Sequence, residues 1–330
     1  MPRQARLDAP GVLHHVMGRG IEGTKVFRNQ GDRNDFLERM GGLCDAGAWV
    51  VYAWALMPNH FHLLVRSAKE SLPFGMRRLL TGYVVNFNRR HKRLGHLFQN
   101  RYKSIICEDD PYLLELTRYI HLNPLRAGIV ESLEELSSYP WTGHSAIMGK
   151  VKRPWQDTEA VLSYFGRKKG EAAGRYEKFV REGVAQGKRP ELVGGGLIRS
   201  AGGWSEVLSM RRRGQRMASD ERVLGSGGFI EGLLEEAEHR HRETLRLRGR
   251  GMDLESLGRR IAKGEGVDLS VIRSGSRTRR AVNARRLFCQ LAVKRMGYSG
   301  AEVARYLGAT TSSVTRLANS QELPELSQYL

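Results

Sequence analysis

Between Trp49 and Arg66 the chain runs through residues that favour pleated structure, interrupted at Met57-Pro58-Asn59. Trp49 to Ala55 and His60 to Arg66 therefore read as two strands joined through that break, which commits this part of the chain to a sheet. A strand has a period of two, so His60, His62 and Leu64 share one face while Phe61, Leu63 and Val65 occupy the other. Two imidazoles on one face, ~7 Å apart along the backbone, can converge on a single metal ion. A structural pair of histidines would look the same. A third ligand and a nucleophile would separate the two readings.

The elements around this pair suggest a fold. Val12 to Met17 reads as a strand ending at Gly18-Arg19-Gly20, and Asp32 to Leu43 as a helix with Asp32 a candidate N-cap. Leu72 to Arg90 is a long amphipathic helix, and Tyr102 to Glu108 a further strand. The next helix starts with Asp110 as candidate cap and Pro111 at its first position, and Pro124 limits it beyond Asn123. Strand–helix–strand–strand–helix–strand–helix predicts an α+β architecture: a ferredoxin-like antiparallel sheet with helices. Asp157 to Gly183 looks helical, glycines at 194–196 and 202–203 suggest a linker or turn, and the chain from Phe229 reads as all helical. The expected divisions are a first domain over residues 1–150, a helical extension over 151–195 and an all-α region over 196–330.

Composition narrows the partner. The 330 residues carry 54 Lys+Arg against 35 Asp+Glu, a formal net charge of +19. Such a field favours polyanions, nucleic acid first and an anionic membrane surface second. No apolar run approaches the ~20 residues of a spanning helix, and MPRQARLDAPG has no apolar export-signal core. Three cysteines (Cys44, Cys107, Cys289), without a CxxC motif, suggest a reducing compartment and no cysteine zinc site. A soluble, cytoplasmic, DNA- or RNA-binding protein without a membrane partner is expected.

On the helix ending at Asn123, residues four apart share a face, so Tyr119 and Asn123 present a phenol and an amide within one turn. Leu113, Thr117 and Ile120 line another side, expected to be the core side. An amide carbonyl is a suitable third ligand beside two imidazoles and leaves coordination positions open, as a catalytic site requires. On pattern alone Tyr119 reads more readily as an ordinary helix residue with its hydroxyl at the surface. His14, His15 and His121 read most simply as structural.

Met57-Pro58-Asn59-His60-Phe61-His62 followed by Tyr119-Ile120-His121-Leu122-Asn123-Pro124-Leu125-Arg126-Ala127-Gly128 resembles the HUH single-tyrosine transposases. The branch it looks like is the REP-associated tyrosine transposases. Phe98-Gln99-Asn100-Arg101-Tyr102-Lys103 and His15-Val16-Met17-Gly18-Arg19-Gly20 fit the same resemblance, which spans roughly residues 1–145. It implies an HUH nuclease fold with His60, His62 and Asn123 as metal ligands and Tyr119 as nucleophile. The implied reaction is metal-dependent nicking and rejoining of single-stranded, hairpin-forming DNA through a 5′-phosphotyrosine link. Mg²⁺ or Mn²⁺ is the expected cofactor, and two imidazoles suit Mn²⁺ better by ligand softness. A domesticated DNA-binding protein that no longer cuts is the alternative from another class. A rolling-circle replication initiator or relaxase would share the chemistry and differ in its target.

Arg77, Arg78, Arg89 and Arg90, interleaved with Tyr83, Asn86 and Phe87, could supply backbone charge and stacking to a single strand; solvated helix faces and helix-dipole compensation explain such runs as well. Arg101, Lys103 and Arg19 are further expected DNA contacts. Near the C-terminus, a helix at Gly300–Leu307, a turn at Gly308–Thr310 and a helix at Thr311–Ala318 make a helix-turn-helix pattern within about residues 280–320. It is similar to the DNA-binding domain of the bacterial replication initiator DnaA. Ser312, Ser313, Thr315 and Arg316 would then enter or flank a duplex groove.

Overall fold

The computed structural model describes residues 11–68, 71–187, 189–194, 200, 218–249 and 252–329. Of the glycines read as a linker, those at 195, 196, 202 and 203 lie outside the described residues. Contacts divide the chain into two compact units, one ending at Leu233 and the other beginning at Leu234. The boundaries expected at 150 and 195 both fall inside the first.

The first unit begins β1 (Leu13–Arg19), α1 (Gln30–Asp45), β2 (Trp49–Met57), β3 (His60–Ser67), α2 (Leu72–Arg90), β4 (Lys103–Cys107) and α3 (Asp109–His121). The strand order is β2-β3-β1-β4-β5. The first four strands pair antiparallel, β1 lying between β3 and β4. This is the ferredoxin-like arrangement expected of an α+β HUH fold: two βαβ halves interleaved in one sheet. Short helices follow: α4 (Asn123–Arg126), α5 (Leu133–Ser138), α6 (Gly143–Ile147), α7 (Thr158–Ser163) and α8 (Lys169–Glu182). The segment read as helical from Asp157 is thus two helices, with Asp157 capping α7 through Ala160 N. A fifth strand, β5 (Val223–Leu224), adds to β4 in parallel, so the region expected to be all-α contributes to the sheet. Two residues are too short a run for period-two patterning to be read.

Period two divides the sheet as the sequence implies. Val16, Phe61, Leu63 and Val65 join Phe36, Leu37, Met40, Leu79 and Tyr83 of α1 and α2 in one buried cluster. Leu13, Leu64 and Ile105 join Leu113, Leu116 and Ile120 of α3, with Val161, Tyr176 and Val180 of α7 and α8, in another. Burying one such side chain contributes roughly 1.5–3 kcal/mol. These contacts, rather than helix propensity, hold α3 against the sheet.

Two predicted caps shift. Asn29, not Asp32, is the N-cap of α1; Asp32 sits at the third helical position and completes a capping box. Burial opposes its charge, but His91, the Arg28 backbone N–H and Arg90 outweigh it and hold its carboxyl below the usual range. Glu108, not Asp110, is the N-cap of α3, without a side-chain capping bond.

The second unit, from Leu234, contains the C-terminal part of α9 (Gly227–Gly249), followed by α10 (Leu254–Glu265), α11 (Leu269–Arg273), α12 (Arg279–Gln290), α13 (Gly300–Leu307) and α14 (Thr311–Ala318). Leu257, Ile261, Leu287, Phe288, Val303 and Val314 form its core. Ser299 and Glu302 make a capping box for α13. Gly308 ends that helix at φ +62°, a left-handed conformation that glycine adopts without steric cost, and Thr310 caps α14. Among the described residues, no helix is long and apolar enough to cross a membrane.

Candidate active site

A pocket of about 460 Å³ opens at the α3 face of the sheet. Its walls come from β1 (Met17, Gly18, Arg19), β3 (His60, His62), the Gln99–Arg101 connection, Lys103 of β4, Tyr119 at the end of α3 and Asn123 at the start of α4. Four residues separated by up to 63 positions in sequence thus meet: His60, His62, Tyr119 and Asn123. The His60 and His62 ring centroids lie 5.2 Å apart, and Tyr119 lies 5.9 Å from His62. Gly18 admits Phe61 directly against its backbone; a Cβ there would overlap the phenyl ring.

Hydrogen bonds define which atoms face the pocket. His60 Nδ1 lies 2.7 Å from Asn59 Oδ1, so a neutral ring donates there and keeps its lone pair on Nε2. His62 Nδ1 lies 3.0 Å from His15 Nε2. His15 Nδ1 in turn lies 3.1 Å from the Leu192 carbonyl oxygen. The Asn123 amide nitrogen donates to the carbonyls of Tyr119 (2.9 Å) and Ile120 (3.3 Å). Using both amide hydrogens on the backbone turns Oδ1 into the group's free acceptor. Burial, reinforced by Arg19, lowers His60 to about 4. Burial, reinforced by His15 and His60, holds His62 well below its ordinary value. Both rings are neutral near pH 7, as metal ligation demands.

Among the described residues, no group of three or more His, Cys, Asp or Glu side chains is placed to hold a metal. Asn123, which lines the same pocket, presents a neutral amide beside the two imidazoles. Two imidazole nitrogens and one amide oxygen fit a divalent ion that keeps open positions for phosphate oxygens.

The other expected residues divide. Arg19, Arg101 and Lys103 line the pocket, and Lys103 Nζ donates to the Val193 carbonyl at 2.7 Å. Arg77, Arg78, Arg89 and Arg90 are carried by α2, which packs on the opposite face of the sheet, and none lines this pocket. Arg90 is engaged with Asp32 at 2.5 Å and Asp35 at 3.6 Å, tying α2 to α1. Ser312, Ser313, Thr315 and Arg316 lie on α14 of the second unit; Ser312 and Arg316 are exposed, while the Thr315 hydroxyl turns back to the Thr311 carbonyl. His121, read as structural, is buried and bonded to Tyr176 Oη at 2.7 Å.

Two contributors escape sequence reading. His15 is one, and Arg126 the other: its guanidinium carbon lies 5.5 Å from the Tyr119 ring centroid, and Nη2 donates to the Gly183 carbonyl. Among the described residues its Nε and Nη1 are buried without a hydrogen-bond partner. The Leu125-Arg126-Ala127 context holds no sign of that position, because the last turn of α3 and the C-terminus of α8 create it.

The ferredoxin-like sheet thus brings a histidine pair, a tyrosine and an amide to one pocket. Residues 11–123 match the family described as "Transposase IS200 like". No curated protein matches the chain. A solved structure, of "the REP associates tyrosine transposase bound to a REP hairpin", shares 14% identity over 48% of this chain and 98% of its own, with a TM-score of 0.35. A likeness that slight bears on neither mechanism nor substrate.

Proposed function

We propose that the first unit nicks and rejoins single-stranded DNA, as a member of the REP-associated branch of the HUH tyrosine transposases acting on hairpin-forming strands. The observation that carries this reading is the meeting of Tyr119, His60, His62 and Asn123 around one pocket. Binding alone requires no such set.

The Tyr119 phenolic oxygen would attack the phosphorus of a backbone phosphodiester. An O–P bond to tyrosine forms, the P–O3′ bond breaks, the phenol proton passes to solvent or a base, and the departing oxygen is protonated as a free 3′-OH. The link conserves the phosphodiester's bond energy, so a second 3′-OH can reverse the step without ATP. His60, His62 and Asn123 would hold Mg²⁺ or Mn²⁺, which supplies polarisation of the scissile phosphate. A phenol with a pKa near ~10 is a weak nucleophile at neutral pH. The Arg126 cation against its ring favours the anion that must develop. Arg19, Arg101 and Lys103 would neutralise backbone phosphates entering the pocket.

The second unit would bind duplex DNA through α14, with Ser312, Ser313, Thr315 and Arg316 facing a groove. The helix pair joined at Gly308, with hydroxyls and an arginine on its outer side, supports this. The arginines of α2 would serve a longer stretch of strand beyond the pocket.

The deciding experiment incubates labelled single-stranded hairpin DNA with the protein and Mn²⁺, then looks for a covalent adduct on a denaturing gel. Wild type forms the adduct, Tyr119→Phe forms none, and His60→Ala or a chelator leaves little. An adduct that persists in Tyr119→Phe assigns the nucleophile elsewhere. A folded wild type that binds the strand without ever forming an adduct would instead be a non-cutting DNA binder.

A further inference from the structure

We propose that His15 is a positioning residue: held by the Leu192 carbonyl, it fixes the tautomer of His62 so that the latter's Nε2 faces the pocket. The proposal rests on the reading of His62 as a metal ligand and adds a layer behind it. A carbonyl oxygen only accepts, so His15 must place its hydrogen on Nδ1 to bond Leu192 O at 3.1 Å. Among the described residues neither ring has a carboxylate partner, and both are buried, so an imidazolium here would bury an unpaired charge. A neutral His15 then offers Nε2 only as an acceptor. His62, 3.0 Å away, must donate from Nδ1, and its lone pair is left on Nε2.

Strand register creates this pair. Met17 lies opposite His62 across β1 and β3, and His15 is its diagonal neighbour on the same face. The rings stack, with centroids 5.3 Å apart and planes 27° from parallel. The anchor comes from outside the family-matched residues. Three side chains donate to carbonyls of the segment after α8: His15 to Leu192, Lys103 to Val193 and Arg126 to Gly183. Leu192 is itself 3% exposed and sits in the core shared with α3. The backbone that orients the candidate ligand is therefore anchored by a buried side chain.

The test measures Mn²⁺ affinity of the full-length protein without DNA, by calorimetry, in wild type and His15 variants. His15→Leu removes both bonds and is expected to weaken Mn²⁺ binding by ~10–100-fold, the range seen when an outer-shell partner is lost. His15→Gln can present an amide oxygen where Nε2 stood and retains most of the affinity. His15→Asn reaches only the Nδ1 position, keeps the bond to Leu192, and binds as weakly as His15→Leu. Should His15→Leu fail to fold by circular dichroism, the Gln and Asn variants carry the comparison. Equal Mn²⁺ affinity in folded Gln and Asn variants, at the wild-type value, overturns the positioning role and leaves the metal reading standing. A wild type whose Mn²⁺ affinity is unaffected by His62→Ala sinks both.

Discussion

The side-chain amide of Asn123 donates to the Tyr119 backbone carbonyl at 2.9 Å, one turn back along the chain. The candidate nucleophile and the candidate third ligand are thereby locked together at the junction of α3 and α4. Pro124 has no N–H to offer the Ile120 carbonyl four residues back, and the Asn123 amide donates to that carbonyl instead.

Asn123→Ala removes the amide oxygen and the lock at once. Adduct formation at fixed, sub-saturating Mn²⁺ should fall at least tenfold, the scale of losing a group that orients a metal site, and recover in part as Mn²⁺ is raised. A metal-titration curve identical to wild type would contradict a ligand role for this amide.

Arg101 lines the pocket, whereas Arg77 and Arg78 lie on the far face of the sheet, their guanidinium carbons 5.6 and 5.8 Å from the Phe74 ring centroid. Arg101→Ala should lower both single-strand affinity and adduct rate, with the slope of log K against log salt falling by about 0.7. The Arg77→Ala/Arg78→Ala double variant should weaken binding of long strands only. Equal loss of adduct rate on a short saturating strand in both variants would show that α2 reaches the reaction.

Asp32 is completely buried and receives the Arg90 guanidinium, His91 Nε2 and the Arg28 backbone N–H. Asp32→Asn removes the buried carboxylate and leaves Arg90 only its longer contact to Asp35, and the expected loss in urea unfolding is about 2 kcal/mol. A loss below about 0.5 kcal/mol would mean that α1 and α2 are held by apolar packing alone.

Burial lowers His14 and His144 to about 4 each. His14 faces the Ser104 hydroxyl; His144 faces the hydroxyls of Ser137 and Tyr176. Their folded proton affinity is below the unfolded one near 6.5, so between these values the unfolded chain binds more protons. Stability should hold above pH 6.5 and decline as pH falls towards 4. Denaturant midpoints at pH 7.5, 5.5 and 4.5 check this, and a double His14→Gln/His144→Gln variant should show a shallower decline.

Arg316→Ala on α14 should weaken binding to duplex DNA with little change in adduct formation on a single strand, because the residue belongs to the other compact unit. Electrophoretic mobility shifts with the two substrates, run side by side, separate these effects. Parallel loss of both would tie α14 to the cleavage reaction.

Much of the site is legible in the residues because its logic is local. Period two alone puts His60 and His62 on one face of β3, and helical spacing alone puts Tyr119 one turn from Asn123. The caps were harder to read. Asp32 looks like the start of α1, yet Asn29 three residues earlier takes that place and turns Asp32 inward to a network that includes α2. The arginines of α2 show the same limit: spacing marks a charged helix face, but which face of the sheet that helix covers is a matter of chain crossover.

What the amino-acid order determined by itself is which side chains are displayed together, since strand and helix periods act over a few residues and present the histidines, the phenol and the amide as soon as each element forms. Only the tertiary structure decided what stands behind them. The pairing of β1 with β3 brings His15 to His62, and the chain after α8 returns to offer the Leu192 carbonyl, 177 positions from His15. Contacts at that separation depend on strand register and core packing, which arise from the whole fold and leave no mark in any short stretch of sequence.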